Sequence, residues 1–169
     1  MRDVPRLEAP GLVLRPLEIS DAEALFAAHS DPQSHQYWSS AAHRSVAQTA
    51  AYIKDTIDAG HAWAITESGG QALGRIALFQ LREGVADIGI IMRPDATGRG
   101  LASKALALVC DHGFDTMGLH RIAADVDPEN SASLSLFLRA GFQREGQLRG
   151  NWKTHLGVRD SVILGKVRQ

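Results

Sequence analysis

An apolar run from Val85 to Met92 stops at Arg93-Pro94, and two glycines, Gly98 and Gly100, then lead straight into an amphipathic segment, Leu101 to Asp115. No other stretch limits the fold as much. A short run that is apolar at nearly every position reads as a strand covered on both faces. The proline ends its ladder. After it, Leu101, Ala105, Leu108 and Val109 share one helical face, which Ala102, Leu106 and Cys110 widen. Glycine lets backbone N–H groups turn inward and a ligand approach closely, and a helix N-terminus adds about half a positive charge. Strand, loop and helix start therefore make a candidate site for phosphate or pyrophosphate. Glycine spacing alone fits a plain strand-to-helix turn equally well. The Walker pattern is absent. A dinucleotide fingerprint fits badly, because Ser103 stands where its third glycine belongs and the loop follows a series of strands.

That series is visible upstream. His61–Glu67 alternates, Ser68–Gln71 is a turn, Leu73–Leu81 is a second strand and Gly84 a second turn, so these strands and Val85–Met92 read as an antiparallel meander. Before them, Leu12–Leu17 is a strand halted near Pro16. Ser20 and Asp21 offer caps to a helix running to about His29, with Ala22, Leu25, Phe26 and Ala28 at helical spacing. Asp31–Ser34 is a breaker, and the chain is irregular to about His43. Ser45–Asp58 is a helix with Val46, Ala50, Ile53 and Ile57 on one face, ended by Gly60. Downstream, His120–Val126 is a strand and Asp127–Asn130 a break. Asn130 or Ser131 caps a helix to about Ala140, with Gly141 as its C′ residue. Phe142–Lys153 and Arg159–Val167 close the fold. The order β-α-α-β-β-β-α-β-α-β-β predicts one domain over 1–169, a mixed, largely antiparallel central sheet flanked by helices (α+β / α/β).

Composition narrows function by exclusion. With 169 residues, 44% of them hydrophobic, the chain can bury a real core. A net charge of -1 offers nothing to nucleic acid or a membrane surface. There is no transmembrane-length apolar run, and Met1–Arg6 lacks the apolar stretch of a signal peptide. Cys110, the one cysteine, cannot form an internal disulfide, which points to a reducing cytoplasm, and reads as a small core residue. The seven histidines show no H-E-x-x-H or comparable spacing, so no metal is expected.

The segment Ile90–Ala102 resembles the acetyl-CoA loop of the GNAT superfamily of N-acetyltransferases, whose pattern is Gln/Arg-x-x-Gly-x-Gly/Ala. Gly100 and Ala102 occupy its last two marked positions, and Thr97 stands where Gln or Arg is usual. The resemblance runs from about Leu12 to Gly165. Leu14-Arg15-Pro16-Leu17 with Asp21-Ala22, and Asp31-Pro32 with Tyr37-Trp38, are similar to the RimJ/RimL branch that acetylates ribosomal-protein N-termini. So are Asp87–Ile90, Gly118–Ile122, Asp127–Ser133, Ala140–Phe142, and Glu145-Gly146 through Asp160-Ser161.

This resemblance implies a GNAT-like sheet and transfer of an acetyl group from acetyl-CoA to a primary amine by direct attack on the thioester. It assigns the backbone of Ile90, Ile91 and Met92 to the pantetheine arm, with the Met92 N–H as oxyanion donor. It gives the pyrophosphate to Thr97, Gly98, Arg99, Gly100, Leu101, Ala102 and Ser103, with Arg99 or Lys104 supplying charge. Asn130 matches an asparagine that bonds the pantetheine arm, although an N-cap explains it equally. Phe137 stands where relatives carry an acid tyrosine. Ser133 matches a serine near the CoA sulfur, or is only a helix-face serine. Asp87, where relatives have glutamate, is the candidate general base or a solvent-facing carboxylate, with Glu83, Asp125 and His120 in reserve. Tyr37 and Trp38 wall the acceptor pocket or plug the core edge. Gly150–His155 reads as a substrate lip or a homodimer contact. The acceptor is a protein N-terminus or a small amine such as an amino acid, polyamine or aminoglycoside. Near-neutral charge speaks mildly against a polycation chosen by a strong field. The departures at Thr97, Phe137 and Asp87 keep a non-catalytic acyl-CoA-binding or sensing protein as the alternative.

Overall fold

A computed structural model describes residues 3–169; Met1 and Arg2, part of the stretch read above for a leader, lie outside them. The strands are β1 Leu7–Ala9, β2 Leu12–Pro16, β3 His61–Thr66, β4 Gly74–Arg82, β5 Val85–Met92, β6 Arg121–Val126, β7 Gln143–Thr154 and β8 Gly157–Val167. The helices are α1 Ala22–His29, α2 Pro32–His35, α3 Val46–Ala59, α4 Leu101–Asp115 and α5 Ser131–Arg139.

Every expected element is present, and two are added. β1 is three residues long and pairs back on β2; it is too short to show a period. α2 begins inside the expected breaker. The Asp31 carboxylate accepts the backbone N–H groups of Gln33 and Ser34, and Pro32 occupies the first turn. Asp-Pro thus starts a helical turn here, because Pro suits a first turn that needs no N–H. The start of α1 also differs. A 3-10 turn, Ile19–Asp21, precedes it, and Asp21 accepts the Glu18 N–H at 2.9 Å while pairing with Arg15 at 2.6 Å. Ser20 does not cap.

The sheet has eight strands in the order β1-β2-β3-β4-β5-β6-β8-β7. All neighbours are antiparallel except β5 and β6. On one face, Trp63, Ile65, Ile76 and Leu78 meet Leu106, Val109 and Cys110 of α4 and Phe137 of α5. On the other, Ala62, Ala64 and Ala77 meet Leu25 of α1 and Ile53 of α3. Among the described residues no helix is long and apolar enough to cross a membrane.

One pairing decides the site. β5 and β6 are in register only at Val85–Arg121, Ala86–Ile122 and Asp87–Ala123. Beyond Asp87, β5 stays with β4 through Met92 and β6 stays with β8 through Val126. The two strands therefore diverge and leave one edge of β5 unpaired in the middle of the sheet.

The α4 face can be tested against an exposed leucine. Leu106→Ala, at 0% exposure, is expected to cost ~2–5 kcal/mol in chemical denaturation. Leu138→Ala, at 50% exposure on α5, should stay within about 0.5 kcal/mol.

Candidate active site

Two adjoining cavities open along the divergence of β5 and β6. One, of about 550 Å³, lies between β5, the glycine loop and α5. The other, of about 300 Å³, lies between the splayed strands and the segment after α2. Tyr37, Trp38, Ile90, Asn130 and Ser133 line both.

The larger cavity gathers most of the residues expected there. Ile90, Ile91 and Met92 line it from the unpaired edge of β5. Thr97, Gly98 and Gly100 line it from the loop, and Leu101, Ala102 and Ser103 from the first turn of α4. Gly98 and Gly100 sit at φ +78 and +76, and a Cβ on either would meet no protein atom within 4 Å. The free N–H groups of the first turn of α4 therefore face open space. The size, the unpaired strand edge and this N–H cradle fit a pantetheine arm followed by a pyrophosphate.

The charge is placed differently from expectation. Arg99 pairs with Glu67 at 2.9 Å and donates to the Asp95 carbonyl, so it does not line the cavity. Lys104 Nζ donates to the Pro10 carbonyl at 3.0 Å. Arg139, in the last turn of α5, lines the cavity with Leu136 and Ser133. It forms no ion pair among the described residues. The spacing of Ser133, Leu136 and Arg139, three residues apart, is the helical signal that would have found it.

Asn130 keeps both readings. Its Oδ1 accepts the Ser133 N–H at 3.1 Å and caps α5, which leaves the amide NH₂ for a ligand. Ser133 is half-buried, and its hydroxyl has no partner among the described residues. Phe137, one turn on, lines the smaller cavity at 3% exposure and packs edge-to-face on Phe142 at 5.0 Å.

The smaller cavity is lined by Tyr37, Trp38 and Tyr52 from the α2–α3 region and by Asp125, Trp152 and Asp160 from β6, β7 and β8. Trp152 Nε1 donates to Asp125 at 2.9 Å, and the His155 N–H reaches the Ser39 carbonyl at 3.2 Å. Gly150–His155 thus closes over the opening as a rim. Asp87 does not line either cavity. It sits half-buried beside Phe79 and Ala123, one strand from Asp125. Burial, then repulsion by Asp125, raises its pKa above the usual carboxylate range. Burial pushes the Cys110 thiol up to about 12, as a core cysteine requires.

Spacing gave no hint of one cluster. His29, His35 and His43 are all buried, with ring nitrogens within 4.8 Å of one another. They sit against Trp38, Tyr52 and the buried Arg75. As it stands the arrangement suits a metal ion poorly. The His29 and His43 rings are stacked nearly parallel, at 8° with centroids 4.8 Å apart, an arrangement in which in-plane lone pairs do not converge on a nearby point, and a guanidinium stands beside them.

Comparison with known proteins agrees with this geometry. Residues 11–143 match the family model described as an acetyltransferase (GNAT) domain. The uncharacterized N-acetyltransferase YoaA of Bacillus subtilis is 35% identical over 86% of each chain. Spermidine N(1)-acetyltransferase of Escherichia coli is 27% identical over 83% of this chain and 77% of its own. Mycobacterium smegmatis RimJ, solved in complex with CoA-disulfide, superposes with TM-score 0.83 at 25% identity, covering 97% of this chain and 86% of that one.

Gly100→Val separates a ligand cradle from a plain turn. The left-handed backbone should cost roughly 1–2 kcal/mol of stability. The branched side chain would fill the space in front of the N–H groups, so calorimetry is expected to show CoA affinity falling at least ~10-fold further than that strain accounts for. Equal losses in stability and affinity would leave only the turn.

Proposed function

The chain belongs to the GNAT acetyltransferase family and is an acetyl-CoA-dependent acyltransferase; from that premise we propose that it acetylates a primary amine, attacking the thioester directly, as one cytoplasmic domain over residues 1–169 of the RimJ/RimL type. The observation that carries this reading is the unpaired edge of β5, Ile88 to Met92, facing an open cradle of N–H groups at α4.

Acetyl-CoA supplies the activated acetyl group. The residues supply the rest. Ile90 and Ile91 hold the pantetheine arm along the strand edge, and the Met92 N–H receives the charge that builds on the carbonyl oxygen. Gly98, Gly100, Leu101, Ala102 and Ser103 cradle the pyrophosphate, with Thr97 fixed by its hydroxyl on the Pro94 carbonyl. Arg139 takes the place given to Arg99 as the nearby cation. The Asn130 amide NH₂ orients the arm while its oxygen caps α5. Ser133 donates to the departing sulfur, because Phe137 has no proton to give. Asp125, with Asp87 behind it, draws the acceptor ammonium in and takes its proton, directly or through water. A relative named spermidine N(1)-acetyltransferase supports a small amine as acceptor, and the acidic lining at Asp125 and Asp160 favours a cationic nitrogen.

A thiol-release assay over a panel of amines tests the reaction. Turnover with at least one amine supports it. A melting shift with acetyl-CoA but no thiol release with any amine would make the protein a binder. Saturation at 100 times the dissociation constant should add about 2.7 kcal/mol of stability. Ser133→Ala should lower kcat ~10- to 100-fold with little change in KM for acetyl-CoA, at the low end for a positioned acid because thiolate already leaves well.

Asp87 gives a test by pH. Folding raises its pKa, so its contribution to stability is present at low pH and is lost as pH rises through the folded-state value. Asp87→Asn is therefore expected to raise Tm at about pH 7.5, to change it little below about pH 3.5, and to lower kcat/KM for the amine. A fall in Tm at neutral pH would place Asp87 among the structural ion pairs instead.

A further inference from the structure

All three buried side-chain atoms that lack a hydrogen-bond partner among the described residues belong to one cluster: Arg75 Nε, Arg75 Nη1 and His29 Nε2. Arg75 lies in β4 directly across from Ile91 and is 1% exposed. Its Nη2 donates to the Tyr52 hydroxyl at 2.8 Å, and its guanidinium lies 5.3 Å from the centre of a Trp38 ring and 5.1 Å from that of Tyr52. No carboxylate of the described residues pairs with it. A guanidinium withdrawn from water without a counter-charge is costly, and such groups persist where something else compensates them.

The hydrogen bonds around it define what is missing. One hydrogen of Nη2 is used on Tyr52. The other, together with its unmet neighbour on Nε or Nη1, leaves one complete two-point face, the shape that receives a carboxylate. The histidines supply no negative charge. The Ser40 carbonyl can only accept, so His35 Nδ1 donates to it, His35 Nε2 accepts from His29 Nδ1, and His29 Nε2 keeps a bare lone pair. His43 Nδ1 is held by Thr49. The cluster is thus one cation and three neutral rings. The rings over the guanidinium, Trp38 and Tyr52, themselves line the acceptor-side cavity, to which β6 and β8 contribute Asp125 and Asp160.

We propose that Arg75 binds a carboxylate carried by the acceptor, so that the acceptor is a small zwitterionic amine of the amino-acid class rather than a polyamine. Trp38 turns aside to admit the carboxylate to the guanidinium, while the ammonium lies toward Asp125. The His29 lone pair takes a polar hydrogen of the ligand or of a water brought in with it. This assignment rests on the acetyl-transfer reading of the same site.

The test pairs amino acids with the amines that differ only by loss of the carboxylate, with spermidine and free acetate as further arms. Wild-type kcat/KM should favour the amino-acid member by ~100-fold or more, since a site built for a charged partner rejects the analogue lacking it. Arg75→Met should bring the ratio to within about threefold, and Arg75→Lys, which keeps the charge without the fork, should fall between. Both variants should still melt at a higher temperature with acetyl-CoA, which shows that they are folded. Melting shifts from the amino acid in the presence of CoA, seen in wild type and lost in Arg75→Met, report binding without turnover. If no amine is acetylated yet these shifts appear, the transfer reading fails and the carboxylate site stands. A wild-type ratio near one, an unchanged ratio in Arg75→Met, a preference for spermidine, or an equal shift from acetate alone would each overturn the assignment.

Discussion

The end of the β5–β6 pairing at Asp87 is the constraint on which the site depends. Backbone groups inside a sheet must be satisfied somewhere. From Ile88 to Met92, β5 has β4 on one side and no strand on the other, although it lies in the middle of eight strands. The gap is kept by what surrounds it. Phe137 and Val126 are packed into the core at its floor, and Asn130 fixes the start of α5 at its edge. The glycine loop then brings the N-terminus of α4 to the mouth of the same gap, so that strand edge and helix dipole address one extended ligand. A short parallel pairing between long antiparallel ones is therefore what turns a sheet into a site.

Much of this was legible in the chain because it is local. The α4 face follows from period alone, and its residues Leu101, Ala105, Leu106, Val109 and Cys110 are buried as the pattern requires. Gly100 caps α4 in the left-handed region, which a Gly-x-Gly before a helix foretells. What could not be read is what depends on partners distant in sequence. Nothing in Val85–Met92 says where β6 will leave it. Arg99 sits in the loop motif, yet Glu67, 32 positions away, holds its side chain. Arg139 lies on the polar side of α5 and lines the cavity only because the gap opens beside it. Arg75 sits in a strand of the meander, where an arginine reads as surface, but α3 and the segment after α2 cover it completely. The histidines beside it come from α1, α2 and the following loop, at spacings that no local chelating motif contains.

The departures from the family pattern are also local matters with structural answers. Thr97 replaces a side chain that would reach the ligand, and its hydroxyl instead ties down the turn through Pro94. That preserves the backbone cradle, which does most of the binding at such loops. Phe137 replaces an acid, and its ring fills the floor against Phe142. The proton-donating task is therefore the one proposed for Ser133, which lines both cavities from the same helix.

Charge in this protein acts at short range. The chain as a whole is nearly neutral, so it cannot steer an acceptor from afar, and a field of that size would be screened within a Debye length of about 8 Å at physiological salt. Inside the site the balance is different. Asp125 and Asp160 line one wall, with Asp87 held partly protonation-prone behind them by burial. Arg159 is consumed by Asp127 and Glu129 and does not cancel them. One layer of aromatic rings behind the cavity, Arg75 is the lone buried guanidinium among the described residues, and burial also drives the pKa of His29 down to about 2, so the rings beside it stay neutral and add no competing charge. Desolvated charges discriminate far more strongly than exposed ones. In a fold with no net field, Asp125 at the cavity is exposed and Asp160 half-buried, while the guanidinium of Arg75 is withdrawn from water behind aromatic rings, so the selection by charge that we propose acts only after a molecule has entered.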